Sequence, residues 1–229
     1  MGEVIRLYVG HDPRETVGTH VFIQSVLEHT TRPTSITPLY KPMLRHAVGD
    51  VKEGTNQFTL SRFLIPYLEG YKGWAIFADG ADMLCRGDLY ELAQQYTSWK
   101  AVQVVKHHYT TKNPRKYVGT AMESDNKDYP RKNWASLMII NCEHPAWRKL
   151  TPEYLRTASP LQILSFDWLR DNDIGTLSME WNWLADEYGP NQTAKLVHWT
   201  AGVPGFEHYK DAPHADEWRA MQILANGHA

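Results

Sequence analysis

The chain has few cysteines, no large excess of either charge and no long apolar run, and each absence excludes a class of protein. Its two cysteines, Cys85 and Cys142, are too few for a disulfide framework or a zinc knuckle. A formal net charge of -2 is unlike that of a basic nucleic-acid-binding protein, so we expect no nucleic-acid partner. No apolar run approaches the length of a transmembrane helix, and the first residues lack the basic-then-apolar order of a signal peptide. We therefore expect a cytoplasmic protein with no transmembrane segment.

The sequence also lacks the glycine-rich patterns that bind dinucleotides or ATP, G-x-G-x-x-G and Walker A. Aromatic residues are plentiful, with nine tryptophans and twelve tyrosines. Their flat apolar rings suit stacking on a sugar or a nucleotide base, although most such side chains belong to a core. A length of 229 residues is enough for one large domain with its own core.

Short apolar runs rich in β-forming residues alternate with helical patterns along the chain. The runs typical of strands are "VIRLYVG", "TSITPLY", "WAIFAD", "AVQVV" and "SLMIINC". Helical patterns such as "RETVGTHVFIQSVLEHT" and "GDLYELAQQY" lie between them. This order predicts an α/β domain with a mainly parallel central sheet, whose ligands bind beyond the carboxyl ends of the strands. The polar segment from His107 to Trp134 predicts a long loop that orders over a ligand.

The stretch "WAIFADGADMLCRGDLYEL" places aspartates where a buried strand ends. Divalent cations such as Mg²⁺ and Mn²⁺ prefer oxygen ligands, and Asp79 and Asp82 could supply them. Gly80 permits a tight turn between the two. The alternative is structural, because Asp82 or Asp88 could instead cap the helix that follows. His11 and Asp12, after the first strand, are expected on the same rim of the sheet.

Five stretches in order resemble the retaining, family-eight type of nucleotide-sugar glycosyltransferase, the glycogenin and lipopolysaccharide galactosyltransferase group. They are "LYVGHDPRE", "TLSRFLIPYL", "AIFADGADMLCRGDLYEL", "SLMIINCEHP" and "LVHWTAGVPGF". The resemblance covers nearly the whole chain and implies the GT-A fold, a single Rossmann-like domain over 1–229. It further implies a nucleotide-sugar-binding part at 1–106, and an acceptor part with a late metal-ligand segment at 107–229.

The resemblance also implies a set of site residues. Mn²⁺ or Mg²⁺ would be held by Asp79, Asp82 and His198. Contacts to the nucleotide sugar would come from Val9, Gly10, His11, Asp12, Arg62, Asp79, Gly80 and Ala81. Catalytic roles fall to Arg62, which could hold a diphosphate or an aspartate, and to Asp167, which lies about where the family carries an acidic residue near the reacting sugar. The aromatic and amide stretches suggest an acceptor side formed by Trp134, Ser136, Asn141, Trp181 and Asn182.

Two departures from the family pattern bear on the site. The family has Asp-x-Asp where this chain has "DGAD", so either both aspartates bind metal across a wider turn or Gly80 occupies the first position. In addition, Val203 stands where the family has a lysine before proline. Lys106, Lys195 or Lys210 could replace the phosphate contact of that lysine.

These observations predict transfer of a hexose from a UDP-sugar to a hydroxyl of a carbohydrate or glycoconjugate acceptor. The resemblance implies retention at the anomeric carbon, and front-face attack assisted by the leaving phosphate is the simplest account. The sequence leaves two alternatives open. One is a metal-dependent nucleotidyltransferase or hydrolase that uses the same carboxylates, and the other is a non-catalytic carbohydrate-binding protein.

Overall fold

A computed structural model describes residues 4–50, 54 and 56–227. The strands in chain order are β1 (Ile5–Gly10), β2 (Thr34–Leu39), β3 (Trp74–Ala78), β4 (Met83–Cys85), β5 (Val102–Val104), β6 (Arg115–Lys116), β7 (Ser124–Asp125), β8 (Leu137–Asn141), β9 (Ile174–Thr176), β10 (Trp183–Leu184) and β11 (Leu196–His198). The α-helices are α1 (Thr16–His29), α2 (Lys41–Val48), α3 (Ile65–Leu68), α4 (Leu89–Ala93), α5 (Pro152–Thr157), α6 (Pro160–Leu164), α7 (Ala185–Tyr188) and α8 (Ala215–Ala225). Among the described residues, no helix combines the length and the apolar character needed to cross a membrane.

The central sheet has six strands in the order β2-β1-β3-β8-β5-β9. β1 runs parallel to β2 and β3, and β5 runs parallel to β9, whereas β8 is antiparallel to both of its neighbours. Five strands therefore point the same way and their carboxyl ends share one edge, which we call the carboxyl edge. The predicted α/β class with a mainly parallel sheet is confirmed.

The middle of this sheet is buried on both faces, as the unbroken apolar runs of β3 and β8 indicate. Successive side chains of a strand point to opposite faces. Phe77 and Ile140 accordingly join one core, while Ile76 and Ile139 join the other, which also contains Phe22 of α1. A rigid sheet packed in this way fixes the position of whatever follows the end of β3.

A second, three-stranded sheet, β10-β11-β4, lies beside the carboxyl edge. β4 begins directly after Asp82, and β11 is antiparallel to it, with His198 opposite Met83. The backbone N–H of Trp199 donates to the Asp82 carbonyl at 2.9 Å. This short ladder brings the late histidine segment next to the aspartate turn.

The segment predicted as a long loop is largely irregular but contains the hairpin of β6 and β7. It leaves β5 at the carboxyl edge and enters β8 at the same edge, because β8 runs in reverse. The Glu187 side chain holds it by accepting hydrogen bonds from Thr111 Oγ1 and the Lys112 backbone N–H. The loop is thus tied to α7 on the side of the late segment.

Candidate functional site

Three side chains predicted as metal ligands lie together at the carboxyl edge. Asp79, Asp82 and His198 each offer one ligand atom, and these atoms all lie within 4.8 Å of one another. Asp79 follows β3, Asp82 precedes β4 and His198 ends β11. His198 Nε2 is 3.4 Å from Asp82 Oδ2.

The turn "DGAD" explains how two aspartates three residues apart converge. Gly80 has φ of 78°, and a Cβ at this position would lie 2.4 Å from Val9 Cγ1 at the end of β1. Only glycine combines that conformation with so close an approach. The Ala81 N–H donates to the Asp79 carbonyl at 2.9 Å, and the Met83 N–H donates to the Gly80 carbonyl at 3.0 Å. The additional residue is absorbed by the turn and does not separate the carboxylates.

The buried Oδ1 atoms of the two aspartates differ in their partners. Among the described residues, Oδ1 of Asp82 accepts no hydrogen bond, whereas Oδ1 of Asp79 is engaged by Arg62. Arg62 Nη1 approaches Asp79 Oδ1 to 2.5 Å as an ion pair, while it donates to the Ala135 carbonyl at 2.8 Å. Because an unpaired buried oxygen is costly, the free Oδ1 of Asp82 is compatible with a hard cation such as Mg²⁺ or Mn²⁺.

The two carboxyl groups differ in their electrostatic surroundings. Burial raises the pKa of Asp79 to about 6, with Arg62 limiting the rise and Asp82 adding to it. Burial also acts on Asp82, but the adjacent His198 holds the pKa of that carboxyl below its usual value. For His198 burial lowers the pKa, yet the attraction of Asp82 outweighs it and leaves the pKa raised.

Asn182 and Ser136 orient the histidine. The Asn182 amide oxygen accepts from His198 Nδ1 at 2.9 Å, and the Asn182 amide nitrogen donates to Ser136 Oγ at 2.8 Å. Since an amide oxygen can only accept, the proton of the neutral imidazole is on Nδ1, and the Nε2 lone pair faces Asp82. The sequence predicts an acceptor contact for both residues. The structure instead gives Asn182, which is fully buried, a positioning role.

A cavity of about 260 Å³ opens beside Asp79. Side chains from several segments line it, including Arg62, Lys116, Tyr129, Asn133, Ser136 and Leu161. Arg62 is itself buried, with Nε donating to the Thr59 carbonyl at 3.1 Å and its guanidinium 4.8 Å from the Phe77 ring centre. The prediction that Arg62 holds an aspartate agrees with this geometry.

The end of β1 departs from prediction. The Asp12 carboxylate is fully buried and accepts hydrogen bonds from the Arg14 backbone and guanidinium and from the Gln57 backbone N–H. With both oxygens engaged, Asp12 caps the turn that follows and does not present its carboxylate to a nucleotide. Val9 and Gly10 are also buried. Of the four residues predicted here, only His11 is partly exposed, in edge contact with Tyr40.

Asn141 lies far from the site, contrary to the prediction that it contacts an acceptor. It pairs with Trp74 at the opposite edge of the sheet, and its amide donates to the Ser98 carbonyl at 2.8 Å. The reason is the reversed direction of β8, which brings the start of that strand, not its end, to the carboxyl edge. Sequence patterns alone do not reveal strand direction.

Three further predicted residues lie outside the cavity beside Asp79. Trp181 is fully buried in the core, and Trp134 is buried with its indole N–H donating to the His107 carbonyl at 2.9 Å. Asp167 is exposed on the turn after α6 and is not among the residues that line this cavity. The two tryptophans have structural roles, and the geometry gives no support to a catalytic role for Asp167.

Two charged residues near the cluster are not distinguished by the sequence. Glu15 is buried, and burial together with the charges of Asp82, Asp12 and Asp79 raises its pKa to about 8. Lys116 lines the cavity from the hairpin of the long loop. A glutamate at a helix start and a lysine in a polar loop are ordinary surface patterns, so no signal indicates that either faces the cluster.

Solved glycosyltransferases share this fold. The bifunctional glycosyltransferase WbbM matches 100% of this chain with a TM-score of 0.68 at 14% identity, and the galactosyltransferase LgtC, solved with donor and acceptor sugar analogues, matches 96% with a TM-score of 0.59 at 11% identity. GlyE of Streptococcus pneumoniae matches 99% at 0.61 and 12% identity. The chain spans 52% of WbbM and 63% of GlyE, but 96% of LgtC. The chain therefore has the GT-A type of glycosyltransferase fold, as predicted.

One curated relative defines the family at the level of sequence. Protein CDI of Arabidopsis thaliana is 36% identical over 222 residues, covering 93% of this chain and 84% of the relative. The chain belongs to the same family as Protein CDI. No protein-family model matches it.

Proposed function

We propose that the protein is a metal-dependent glycosyltransferase of the retaining, family-eight type. It transfers a hexose from a nucleoside diphosphate sugar, UDP in the first instance, to an acceptor hydroxyl. The observation that carries the proposal is the Asp79, Asp82 and His198 cluster at the carboxyl edge of a glycosyltransferase fold, in which Asp82 Oδ1 accepts no hydrogen bond from the described residues. The choice of UDP and of retention follows from the sequence resemblance.

Each residue of the cluster has a distinct part in this proposal. Asp79, Asp82 and His198 would hold Mn²⁺ or Mg²⁺, and Asn182 keeps the His198 lone pair directed toward Asp82. Arg62 favours the charged form of Asp79 against the effect of burial. When bound, the cation neutralises the negative charge that develops on the diphosphate as the nucleotide leaves.

The composition of the cavity wall supports attack from the face that the nucleotide leaves. Among the described residues that line the cavity, Asp79 is the only carboxylate, and Arg62 holds it as an ion pair. A double displacement needs a free carboxylate or other nucleophile on the opposite face of the sugar. Front-face attack, in which the leaving phosphate takes the acceptor proton, needs no such group.

The decisive experiment is a donor screen with the full chain. UDP-hexoses are incubated with and without Mn²⁺, and release of UDP is measured together with the anomeric configuration of the released or transferred sugar. We expect release that requires the metal, stops with EDTA and retains configuration. Inversion of configuration would contradict the retaining type without contradicting glycosyl transfer.

Two other outcomes would replace the proposal. Release of pyrophosphate from a nucleoside triphosphate, without turnover of any nucleotide sugar, would indicate a nucleotidyltransferase. Binding of free sugars that is independent of both metal and nucleotide would indicate a carbohydrate-binding protein.

A further inference from the structure

The proposed function leaves open which lysine contacts the donor phosphates, because Val203 occupies the position where the family has a lysine. Each of the three lysines suggested by the sequence as a replacement already has a hydrogen-bond or ion-pair partner. Their partners are the Ile174 carbonyl for Lys106 (3.1 Å), Glu91 for Lys195 (2.6 Å) and Glu207 for Lys210 (2.6 Å). None of the three is among the residues that line the cavity beside Asp79.

Lys116 differs from those three lysines in two ways, because it lines the cavity and its ammonium group is in no ion pair among the described residues. Its side chain lines the cavity together with Asp79 and Arg62. Within the described residues no carboxylate lies within 4.0 Å of its ammonium group, which is 5.6 Å from the centre of the Tyr117 ring. Burial lowers the pKa of Lys116, while the Asp82 carboxylate opposes the shift. The ammonium group therefore lies near the Asp79, Asp82 and His198 cluster but forms no ion pair with it.

The backbone around Lys116 is fixed from the side of the late segment. The Tyr117 N–H donates to the Ala201 carbonyl at 2.7 Å, and the Val118 N–H donates to the Tyr209 hydroxyl at 3.0 Å. On the other strand of the hairpin, Asp125 pairs with Arg115 at 2.7 Å. The hairpin is thus anchored a few residues beyond His198, so Lys116 keeps a defined place relative to the metal cluster.

We propose that Lys116 binds the diphosphate of the donor, and that the β6–β7 hairpin is the element that presents it. The inference rests on the proposed function, because it assumes a nucleoside diphosphate beside the Asp79 cluster. An ammonium group on a flexible stem is a good point charge for phosphate oxygens. The hairpin thereby takes over a contact that the late segment does not make.

The test compares Lys116→Met, which keeps most of the apolar stem, with Lys116→Arg. UDP, uridine and Mn²⁺ alone are titrated calorimetrically into each protein, with Mn²⁺ already present in the titrations of UDP and of uridine. Loss of a charge-assisted hydrogen bond predicts UDP binding about 10- to 100-fold weaker in Lys116→Met. Uridine and Mn²⁺ binding should be unchanged or stronger, and Lys116→Arg should recover part of the loss. Lys127→Met is the matched control, since Lys127 lies in the same loop with its side chain 83% exposed.

Three results would count against the inference. UDP affinity within about twofold of the unmodified protein in folded Lys116→Met would overturn it. Equal weakening of UDP, uridine and Mn²⁺ binding would show a structural role instead. If the unmodified protein binds no nucleoside diphosphate with Mn²⁺ present, the proposed function itself fails, and that is visible before any variant is compared.

Discussion

Two aspartates end neighbouring parallel strands of the sheet, and the fold uses them in opposite ways. Asp12 follows β1 and accepts hydrogen bonds at both of its oxygens from Arg14 and Gln57. Asp79 follows β3, and its Oδ1 is paired with Arg62, which comes from a distant segment of the chain. Both fit the same pattern of a buried strand ending in a carboxylate. Only the second lies with Asp82 and His198 in a group that could hold a metal ion.

The difference begins with the residues that follow each aspartate. After Asp12 come Pro13 and Arg14, which form a turn whose backbone and guanidinium donors point back at the carboxylate. After Asp79 come Gly80 and Ala81, which have no side-chain donors. Donors from the next residues occupy the Asp12 carboxylate, whereas the turn after Asp79 supplies no side-chain donor and its ion-pair partner, Arg62, comes from elsewhere in the chain.

The largest expected effect is at the Asp79, Asp82 and His198 cluster. Asp82→Ala should lower metal-dependent UDP release by about 1000-fold or more, because it removes a ligand and leaves His198 without its carboxylate. Circular dichroism should show an intact fold. The control is Asp88→Ala in the same stretch, which removes the cap at the Tyr90 N–H and the hydrogen bonds from Thr31, away from the cluster, and should keep the activity. Full activity of Asp82→Ala would remove the metal role.

At Asp12, whose two oxygens already accept hydrogen bonds, the expected effect is on stability and not on activity. Asp12→Ala leaves the Arg14 and Gln57 N–H groups without their acceptor and should lower the free energy of unfolding by about 2–4 kcal/mol. Chemical denaturation measures this. Calorimetry on the folded variant should give Mn²⁺ affinity within about twofold of the unmodified protein. A loss of Mn²⁺ affinity with little loss of stability would show that Asp12, and not only Asp79, contributes to metal binding.

A smaller effect is expected at Asn182, which contacts the proposed ligand His198 but is not itself a proposed ligand. Asn182→Ala removes the acceptor that orients His198 and should weaken Mn²⁺ binding about 10- to 100-fold. Asn141→Ala is the matched control, a buried asparagine at the opposite edge of the sheet, and should affect stability without affecting Mn²⁺ affinity. Equal Mn²⁺ affinities in the two variants would mean that the Asn182 contact has no influence on the site.

Strand runs and the aspartate turn were predictable because they depend on local pattern. "WAIFAD" alone indicates a buried strand with a carboxylate at its end, and the histidine segment follows from the resemblance. Asn141 was misplaced because strand direction depends on long-range pairing. Lys116 and Glu15 were missed because burial of a charge near a cluster depends on tertiary packing, which no local spacing encodes.

The reversed strand β8 has a consequence for how such a protein can diversify. Because β5 ends and β8 begins at the same edge, the chain from 105 to 136 departs from the sheet and returns to it without crossing the core. Its length and content can change while the register of the sheet stays the same. A chimera that exchanges residues 108–132 of this excursion as one cassette would replace Lys116 but keep Ser136, Asn182 and the three proposed metal ligands, so the surface of the loop could evolve separately from the proposed cation site.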